Sequence, residues 1–181
     1  MLRNSHTSWG WLSRGLHWSM AALLLSQIVL GKYAHELDRT PEKLKLMMLH
    51  KSFGISLLLL LLIRIVWTLF NVKPRPVLGT TRVQAISVWL SHASLYLLMF
   101  AIPLSGWLMN SAKNIPFSMF RSIKMPALIG PDEQLAEVFA ELHETLVAGF
   151  LVILVIHVLA ALWHHFFKRD SVLRRMSVGE T

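Results

Sequence analysis

The chain has 181 residues, of which 54% are hydrophobic and only 15% are charged. Soluble domains usually carry about a quarter charged residues, so the composition indicates an integral membrane protein with a single domain, residues 1–181. Cysteine is absent, which excludes disulfides, thiolate metal sites, iron–sulfur clusters and covalently attached haem. In a membrane protein, the net charge of +8 indicates cytoplasmic flanking residues rather than nucleic-acid binding.

Four apolar stretches predict an all-α membrane bundle with helices at about residues 15–33, 47–70, 83–110 and 142–167. The first stretch resembles a signal peptide, but it lacks a small-residue cleavage pattern. We therefore expect it to be retained as the first helix. The connections are a mixed-charge loop that contains Pro41, a basic Pro- and Gly-containing turn at 72–82, and a long loop at 111–141. A basic tail, residues 168–181, completes the chain.

The distribution of basic residues predicts the orientation of the bundle. Four helices place both termini on one side, which holds ten Lys and Arg residues against eight on the other. The ten lie in the shorter segments, where the positive-inside rule applies best, so we expect both termini in the cytoplasm. The eight on the outer side are Lys32, Arg39, Lys43, Lys45, Lys51, Lys113, Arg121 and Lys124.

The fourth stretch is unusual because its apolar run contains histidines. His143 and His157 are fourteen residues apart, which puts them on nearly one helical face and roughly 21 Å apart along the axis. Ionisable side chains inside a membrane helix are costly and are functional candidates by default. Two imidazoles at different depths suit two stacked cofactor sites better than a single metal site.

The helix directions predict partners for these histidines. His50 begins the second stretch, so it shares the outer face with His143, whereas His17 lies near the depth of His157. Haem iron with two axial imidazoles takes one ligand from each side of the ring, and helix bundles build such sites between facing helices. Two haems, one in each leaflet, therefore fit this topology. His92 also lies in the cytoplasmic half, and spacing alone does not decide whether His17 or His92 faces His157.

Two arginines are candidates for contact with haem carboxylates. Arg64 follows His50 by fourteen residues, as His157 follows His143, so it lies at the depth of the cytoplasmic pair. Arg14 is one turn before His17. Arg binds carboxylates bidentately, but both side chains can instead extend to the headgroups, and this reading is favoured for Arg14. Gly54, one turn after His50, leaves room for a flat ring.

Several segments together resemble the bacterial cytochrome b561 family. They are LHW at 16–18, HKSFGISLLLLLLIRI at 50–65, SHASLYLLMFAIPLSG at 91–106, and the run from HETL at 143 to HHFFKRD ending at 170. The resemblance covers nearly the whole chain and implies a four-helix, two-haem b inner-membrane cytochrome. It also implies that His17 pairs with His157 and His50 with His143, which would settle the role of His92 in favour of His17. One activity found in the family is electron transfer from superoxide to ubiquinone.

The expected function is therefore that of a superoxide:ubiquinone oxidoreductase embedded in lipid. Superoxide is an anion, and basic residues on the outer face can attract it; Lys51 stands beside the ligand candidate His50. At the cytoplasmic end, an exposed His164 can move the proton that accompanies quinone reduction. Both assignments have ordinary alternatives, a solvated mixed-charge surface for Lys51 and a headgroup location for His164.

Two other functions remain open from the sequence. The first is a non-catalytic cytochrome b subunit that receives electrons from a separate periplasmic redox partner, docked through the loop at 111–141, and delivers them to the quinone pool. The second is a haem-free transporter that uses its histidines for protons or metal. The paired depths of the histidines disfavour the transporter.

Overall fold

The computed structural model describes residues 1–77 and 79–178, which form four long helices and one short one. The predicted tail therefore ends, at residues 179–181, outside the described part of the chain. The long helices are α1 (Trp11–Glu36), α2 (Pro41–Leu69), α3 (Arg82–Ala112) and α4 (Glu133–Phe166). The short helix α5 (Val172–Ser177) follows α4, and two short strands, β1 (Ser118–Met119) and β2 (Ile123–Lys124), lie between α3 and α4.

Three of the described helices, α2, α3 and α4, are long and apolar enough to cross a membrane. Many of their large apolar side chains are exposed on the protein surface, as expected for helices that face lipid. The first helix is not among the three, because His17, Gln27 and several serines lower its hydropathy. Its assignment as a fourth membrane helix remains a prediction.

Polar caps make three of the helices begin earlier than their apolar runs do. The Thr40 hydroxyl accepts a hydrogen bond from Lys43 N at 3.2 Å, and Pro41 occupies the first turn, where its missing N–H costs nothing. Asp132 accepts from Leu135 N at 2.9 Å and starts α4 inside the predicted long loop. Thr81 forms a capping box with Gln84 at the start of α3.

Helix packing leaves α4 separated from the first half of the chain. Extensive packing joins α1 to α2, α2 to α3, and α3 to α4. Among the described residues, α4 makes no extensive packing with α1 or α2. Side chains that meet between α4 and those two helices therefore join backbones that are not directly packed on each other.

The connection between α3 and α4 folds over one end of the bundle, which we call the outer end. Strands β1 and β2 pair antiparallel, and the turn between them holds Phe120 at φ 47° and Arg121 at φ 61°. Phe120 N donates to the Ser52 hydroxyl at 3.0 Å, and its ring lies 5.4 Å from that of Phe53. The hairpin is thus fastened to α2 directly beside His50.

The opposite end, which we call the inner end, joins the N-terminal segment, the α2–α3 connection and α5. The Trp18 indole donates to Met176 O at 3.0 Å, and a guanidinium N–H of Arg175 donates to Arg75 O at 3.0 Å. Arg75 N in turn donates to His6 O at 2.8 Å. The N-terminal segment and α5 therefore lie at the same end of the bundle.

Asn4 is the centre of the hydrogen bonds at the inner end. Its Oδ1 accepts from Gly10 N at 2.9 Å and from the Ser13 hydroxyl at 2.7 Å, and its Nδ2 donates to Val72 O at 2.9 Å. The Ser13 hydroxyl also accepts from the Trp67 indole at 2.9 Å. One side chain thus connects the N-terminal segment to α1 and to the end of α2.

Replacing Asn4 with alanine should lower the free energy of unfolding by about 1–2 kcal/mol, because three hydrogen bonds are lost at a partly buried site. Thermal unfolding in detergent measures the change. Thr7→Ala is the matched control, since the hydrogen bond of the Thr7 hydroxyl within the described part of the chain is to the neighbouring Ser5. Equal melting temperatures for the two variants would contradict a central role for Asn4.

Candidate functional site

The outer pair of imidazoles is formed by His50 on α2 and His143 on α4. Their ring centroids are 6.4 Å apart and their planes are inclined at 79°. The two helices do not pack extensively on each other, so the two imidazole side chains span the distance between them. The structure thus brings together the two histidines that the sequence assigned to one depth.

His143 is held in a fixed orientation by one turn of α3. Its Nδ1 lies 2.9 Å from Ile102 O and 3.1 Å from the Ser105 hydroxyl. A carbonyl can only accept, so Nδ1 carries the proton and Nε2 is the nitrogen with a free lone pair. A Cβ on Gly106 would stand 3.2 Å from the ring, so glycine allows the close approach. Metal-ligating histidines usually donate their second ring N–H in this way, so the contact to the carbonyl fits His143 as a ligand candidate.

His50 is seated against Gly31 of α1. A Cβ at position 31 would lie 2.8 Å from His50 Cε1, so any larger residue would displace the ring. The Nδ1 atom is buried, with the main chain of Gln27 as its polar neighbour, and no well-formed hydrogen bond reaches it within the described chain. The ring is therefore positioned by shape more than by hydrogen bonding.

The inner pair consists of His17 on α1 and His157 on α4, with centroids 6.3 Å apart and planes at 87°. His92 on α3 is closer to His157, at 5.3 Å between centroids, and its Nδ1 donates to Val88 O at 2.8 Å. Both alternatives that the sequence left open are therefore near His157. A hydrogen bond from Nδ1 to a carbonyl is found in ligating and in packing histidines alike, so this contact does not decide the role of His92.

The separations suit a metal between two imidazoles. A metal–imidazole bond is about 2 Å and a ring nitrogen lies roughly 1 Å from its centroid, so two axial imidazoles have centroids roughly 6 Å apart. His50–His143 and His17–His157 meet this requirement at 6.4 and 6.3 Å, whereas His92–His157 is an ångström shorter at 5.3 Å. The residues present therefore fit two bis-histidine haems.

Gly54, one turn from His50, has open space beside its Cα. This residue is half-buried, yet a Cβ built on it would meet nothing within 4 Å. Close-packed interiors rarely leave such room. The open position lies where the sequence placed a flat ring.

The two candidate arginines have different surroundings. Arg64 is half-buried, its Nε donates to the Tyr96 hydroxyl at 2.9 Å, and its charge acts on His17, His92 and His157. Arg14 instead directs a guanidinium N–H to Ser177 O at 3.4 Å, at the inner end. Only Arg64 stands beside the inner pair.

Lys51 follows His50 at the outer end, and its side chain is hydrogen-bonded to the last turn of α3. Its Nζ donates to Asn110 Oδ1 at 2.5 Å and lies 6.0 Å from the Phe117 ring centre. Asn110 Nδ2 continues to Ile115 O at 2.8 Å. The ammonium is therefore a fixed, half-buried charge beside a ligand candidate, and not a freely moving surface group.

His164 lies at the inner end, where its Nδ1 hydrogen-bonds Asp170. Its neighbour His165 is exposed and stands edge-on to Phe166 at 4.8 Å. Ser13, also at this end, is buried and hydrogen-bonded to Asn4 and Trp67. Sequence reasoning missed Asp170 as a partner of His164; the HHF-x-x-x-D spacing was its only signal.

Residues that contact the ligand candidates were also missed. Gly31, Ser105 and Gly106 contact His50 or His143 from helices that are distant in sequence. A glycine inside an apolar helix is common in membrane proteins, so these positions carry no distinctive local signal. Their role follows from which helices pack together.

Comparison with known proteins agrees with the geometry. The family model described as prokaryotic cytochrome b561 matches residues 8–179. The chain is 34% identical over 166 residues to cytochrome b561 homolog 2 of Escherichia coli K12, an alignment that covers 92% of this chain and 85% of the relative. It is 28% identical over 174 residues to the probable superoxide oxidase CybB of Yersinia pestis, covering 94% of this chain and 96% of that protein. The chain therefore belongs to the prokaryotic cytochrome b561 family of membrane-bound, b-type haem proteins of electron transport.

Proposed function

We propose that the protein is a four-helix, two-haem cytochrome b of the bacterial inner membrane that carries electrons from superoxide at its outer end to ubiquinone at its inner end. The observation that carries this proposal is the presence of two imidazole pairs at 6.4 and 6.3 Å, both including a histidine of α4. The relative named as a probable superoxide oxidase supports the choice of donor. The cytoplasm is taken to lie at the inner end, with both termini.

The first helix is proposed as the fourth membrane span. Its 26 residues extend roughly 39 Å, more than the roughly 30 Å of the hydrocarbon core. It contributes His17 and packs along α2. The N-terminal segment and α5 lie at the same end of the bundle, as an even number of spans requires.

His50 and His143 are proposed to hold the outer haem, and His17 and His157 the inner one. Haem supplies, when bound, an iron that takes up and releases one electron at a time. The protein fixes the ligands: Ile102 and Ser105 orient His143, and Gly31 seats His50. Arg64 places a positive charge beside the inner pair. His92 is assigned a packing role.

Superoxide is a small anion, and it reaches the protein from the outer side because charge does not readily cross hydrocarbon. Lys51 provides a fixed positive charge next to His50, held by Asn110. Such a charge steers an anion toward the outer haem. Two superoxide anions each lose one electron and become O₂, and one ubiquinone gains two electrons and two protons.

Stopped-flow spectroscopy of the purified protein tests the function. Superoxide should reduce the haems at a rate near diffusion control, and superoxide dismutase should abolish the reaction. Added ubiquinone should then reoxidise the haems. If a quinol reduces the haems rapidly and superoxide reduces neither, the protein is not a superoxide oxidase. The protein would then be an electron-transfer subunit for a separate periplasmic donor.

Replacing Lys51 with glutamate should lower the superoxide rate constant by about tenfold at low salt and weaken its salt dependence, because steering acts through local potential. Lys51→Gln removes the charge while keeping a donor for Asn110. Lys45→Glu, on an exposed part of α2, makes the same change in net charge away from His50. Equal losses in Lys51→Glu and Lys45→Glu would show that only the overall charge matters.

A further inference from the structure

A cavity of about 190 Å³ lies at the inner end, between the end of α4 and the beginning of α3. Its walls include Thr80, Gln84, His164, Lys168 and Asp170. Pockets that enclose whole drug-sized ligands measure roughly 300–1,000 Å³, so this one suits a single ring bearing polar substituents. Trp163 and Phe167 directly precede the wall residues His164 and Lys168 in the sequence. Their exposed rings stack on each other with centroids 4.5 Å apart.

The chain after α4 folds back so that Asp170 reaches His164. Phe167 N and Lys168 N both donate to Trp163 O, at 3.0 and 3.2 Å, and Arg169 takes the left-handed conformation at φ 51°. That conformation costs a non-glycine residue about 1–2 kcal/mol. Asp170 N then donates to His164 O at 3.1 Å. The turn thus places the carboxylate against the imidazole by backbone as well as by side-chain contacts.

Each carboxylate oxygen of Asp170 has a separate partner. Oδ1 accepts from Val172 N at 3.0 Å, and Oδ2 pairs with His164 Nδ1. The side chains of His164 and Asp170 are 25% and 17% exposed. With Nδ1 engaged, Nε2 is the nitrogen of His164 available to a molecule in the cavity.

We propose that Asp170 is a positioning residue that sets the orientation and tautomer of His164, so that Nε2 exchanges a proton with a quinone headgroup held in this cavity. This inference rests on the proposed function and specifies its inner site. A carboxylate that orients a histidine and stabilises its charged form is a known arrangement in general acid–base catalysis.

Reduction converts the two C=O groups of the quinone into C–OH groups, so two O–H bonds form, and the two electrons come from two superoxide anions. The imidazolium of His164 gives its Nε2 proton to one quinone oxygen and is left neutral, with Nδ1–H donating to Asp170. Water at the inner end supplies the other proton and reprotonates His164.

The charge state of Asp170 agrees with this role. Partial burial opposes ionisation of Asp170, but its hydrogen bonds with His164 and Val172 N and the nearby Lys168 outweigh that effect, so the pKa of its carboxyl lies below its ordinary value. The carboxylate is therefore ionised at neutral pH and ready to accept from Nδ1. Lys168 is the other charged group on the cavity wall.

Asp170→Asn is the informative substitution. Asparagine has one acceptor oxygen, and if that oxygen keeps Val172 N, the amide NH₂ faces His164 Nδ1. The proton of neutral His164 then moves to Nε2, which can no longer accept. We expect the maximal rate of quinol oxidation by the haem-loaded, full-length protein to fall about 10²-fold, the lower part of what general acid–base catalysis supplies.

The apparent KM for a short-chain ubiquinol should change less than about twofold, and the solvent deuterium isotope effect on the maximal rate should rise. Reduction of the haems by superoxide, measured on the same samples, should be unchanged. His165→Ala is the matched control and should resemble the wild type. His164→Gln should lose as much rate as Asp170→Asn, and the double variant should be no slower, since the two residues act as a unit.

The outcomes separate the inference from the function on which it rests. If Asp170→Asn oxidises quinol at the wild-type rate, or raises KM with an unchanged maximal rate and isotope effect, Asp170 does not position a proton-transferring His164 and the inference is overturned. If the wild type itself does not react with quinol, the proposed quinone function fails. Haem content measured on each variant allows rates to be expressed per haem, so partial misfolding does not mimic the effect.

Discussion

Replacing His50 or His143 with alanine should leave about one haem per chain instead of about two, because each haem needs an imidazole on both faces of its iron. The lost absorption should be the same in both variants, since they remove opposite ligands of one site. His17→Ala and His157→Ala should remove the other haem. Pyridine haemochrome assays measure haem per chain, and low-temperature spectra of the reduced protein distinguish the two sites.

His92→Ala is the decisive control for the inner site. His92 is closer to His157 than His17 is, at 5.3 Å against 6.3 Å, but only the longer separation admits a metal between the rings. This variant should keep both haems. Retention of the inner haem in His17→Ala together with its loss in His92→Ala would reverse the assignment.

Glycine substitutions test the space between the helices without replacing a ligand candidate. Gly31→Ala places a Cβ 2.8 Å from His50 Cε1 and should disturb the outer site directly. Gly54→Ala meets nothing within 4 Å in the protein, so it should lower outer haem occupancy only if a haem fills that space. Gly149→Ala, also unobstructed but exposed, should leave both haems in place.

The sequence predicted the histidine arrangement because helical rise is a regular quantity. A fourteen-residue interval fixes relative depth, and the reversal of direction between successive helices fixes which ends meet. The structure accordingly brings His50 to His143 and His17 to His157. Ligation itself stays a prediction. Whether His17 or His92 faces a cofactor at His157 depends on how each helix is rotated about its axis and on distances of about an ångström. The spacing of residues along the sequence does not define either quantity.

Features set by side-chain contacts between distant segments were not predictable in the same way. Hydropathy placed the start of the fourth helix at 142, but the Asp132 cap starts α4 at Glu133, in a polar stretch that reads as a loop. The link of Lys51 to Asn110 depends on how α2 packs against α3. The Asp170–His164 contact depends on the left-handed residue Arg169, a conformation that arginine does not signal.

Replacing Arg64 with glutamine should lower the reduction potential of the inner haem and leave the outer one nearly unchanged. A positive charge favours the electron-rich state of a nearby redox centre, so its removal makes reduction harder. A unit charge about 8 Å away at an effective dielectric constant of about 20 changes the energy of one electron by about 2 kcal/mol, on the order of 90 mV. Spectroelectrochemical titration of the purified protein resolves such a shift.

The expectation for Arg64 rests on its position rather than on its charge alone. It is half-buried, held by the Tyr96 hydroxyl at 2.9 Å, and its charge acts on the imidazoles of His17, His92 and His157. Arg14→Gln is the matched control, because Arg14 hydrogen-bonds Ser177 O at the inner end and should not move either potential. Tyr96→Phe keeps the charge and frees the guanidinium, so it should give a smaller shift than Arg64→Gln. An unchanged inner potential in Arg64→Gln would mean that this side chain extends to the headgroups, and that the inner haem takes its potential from its ligands and burial alone.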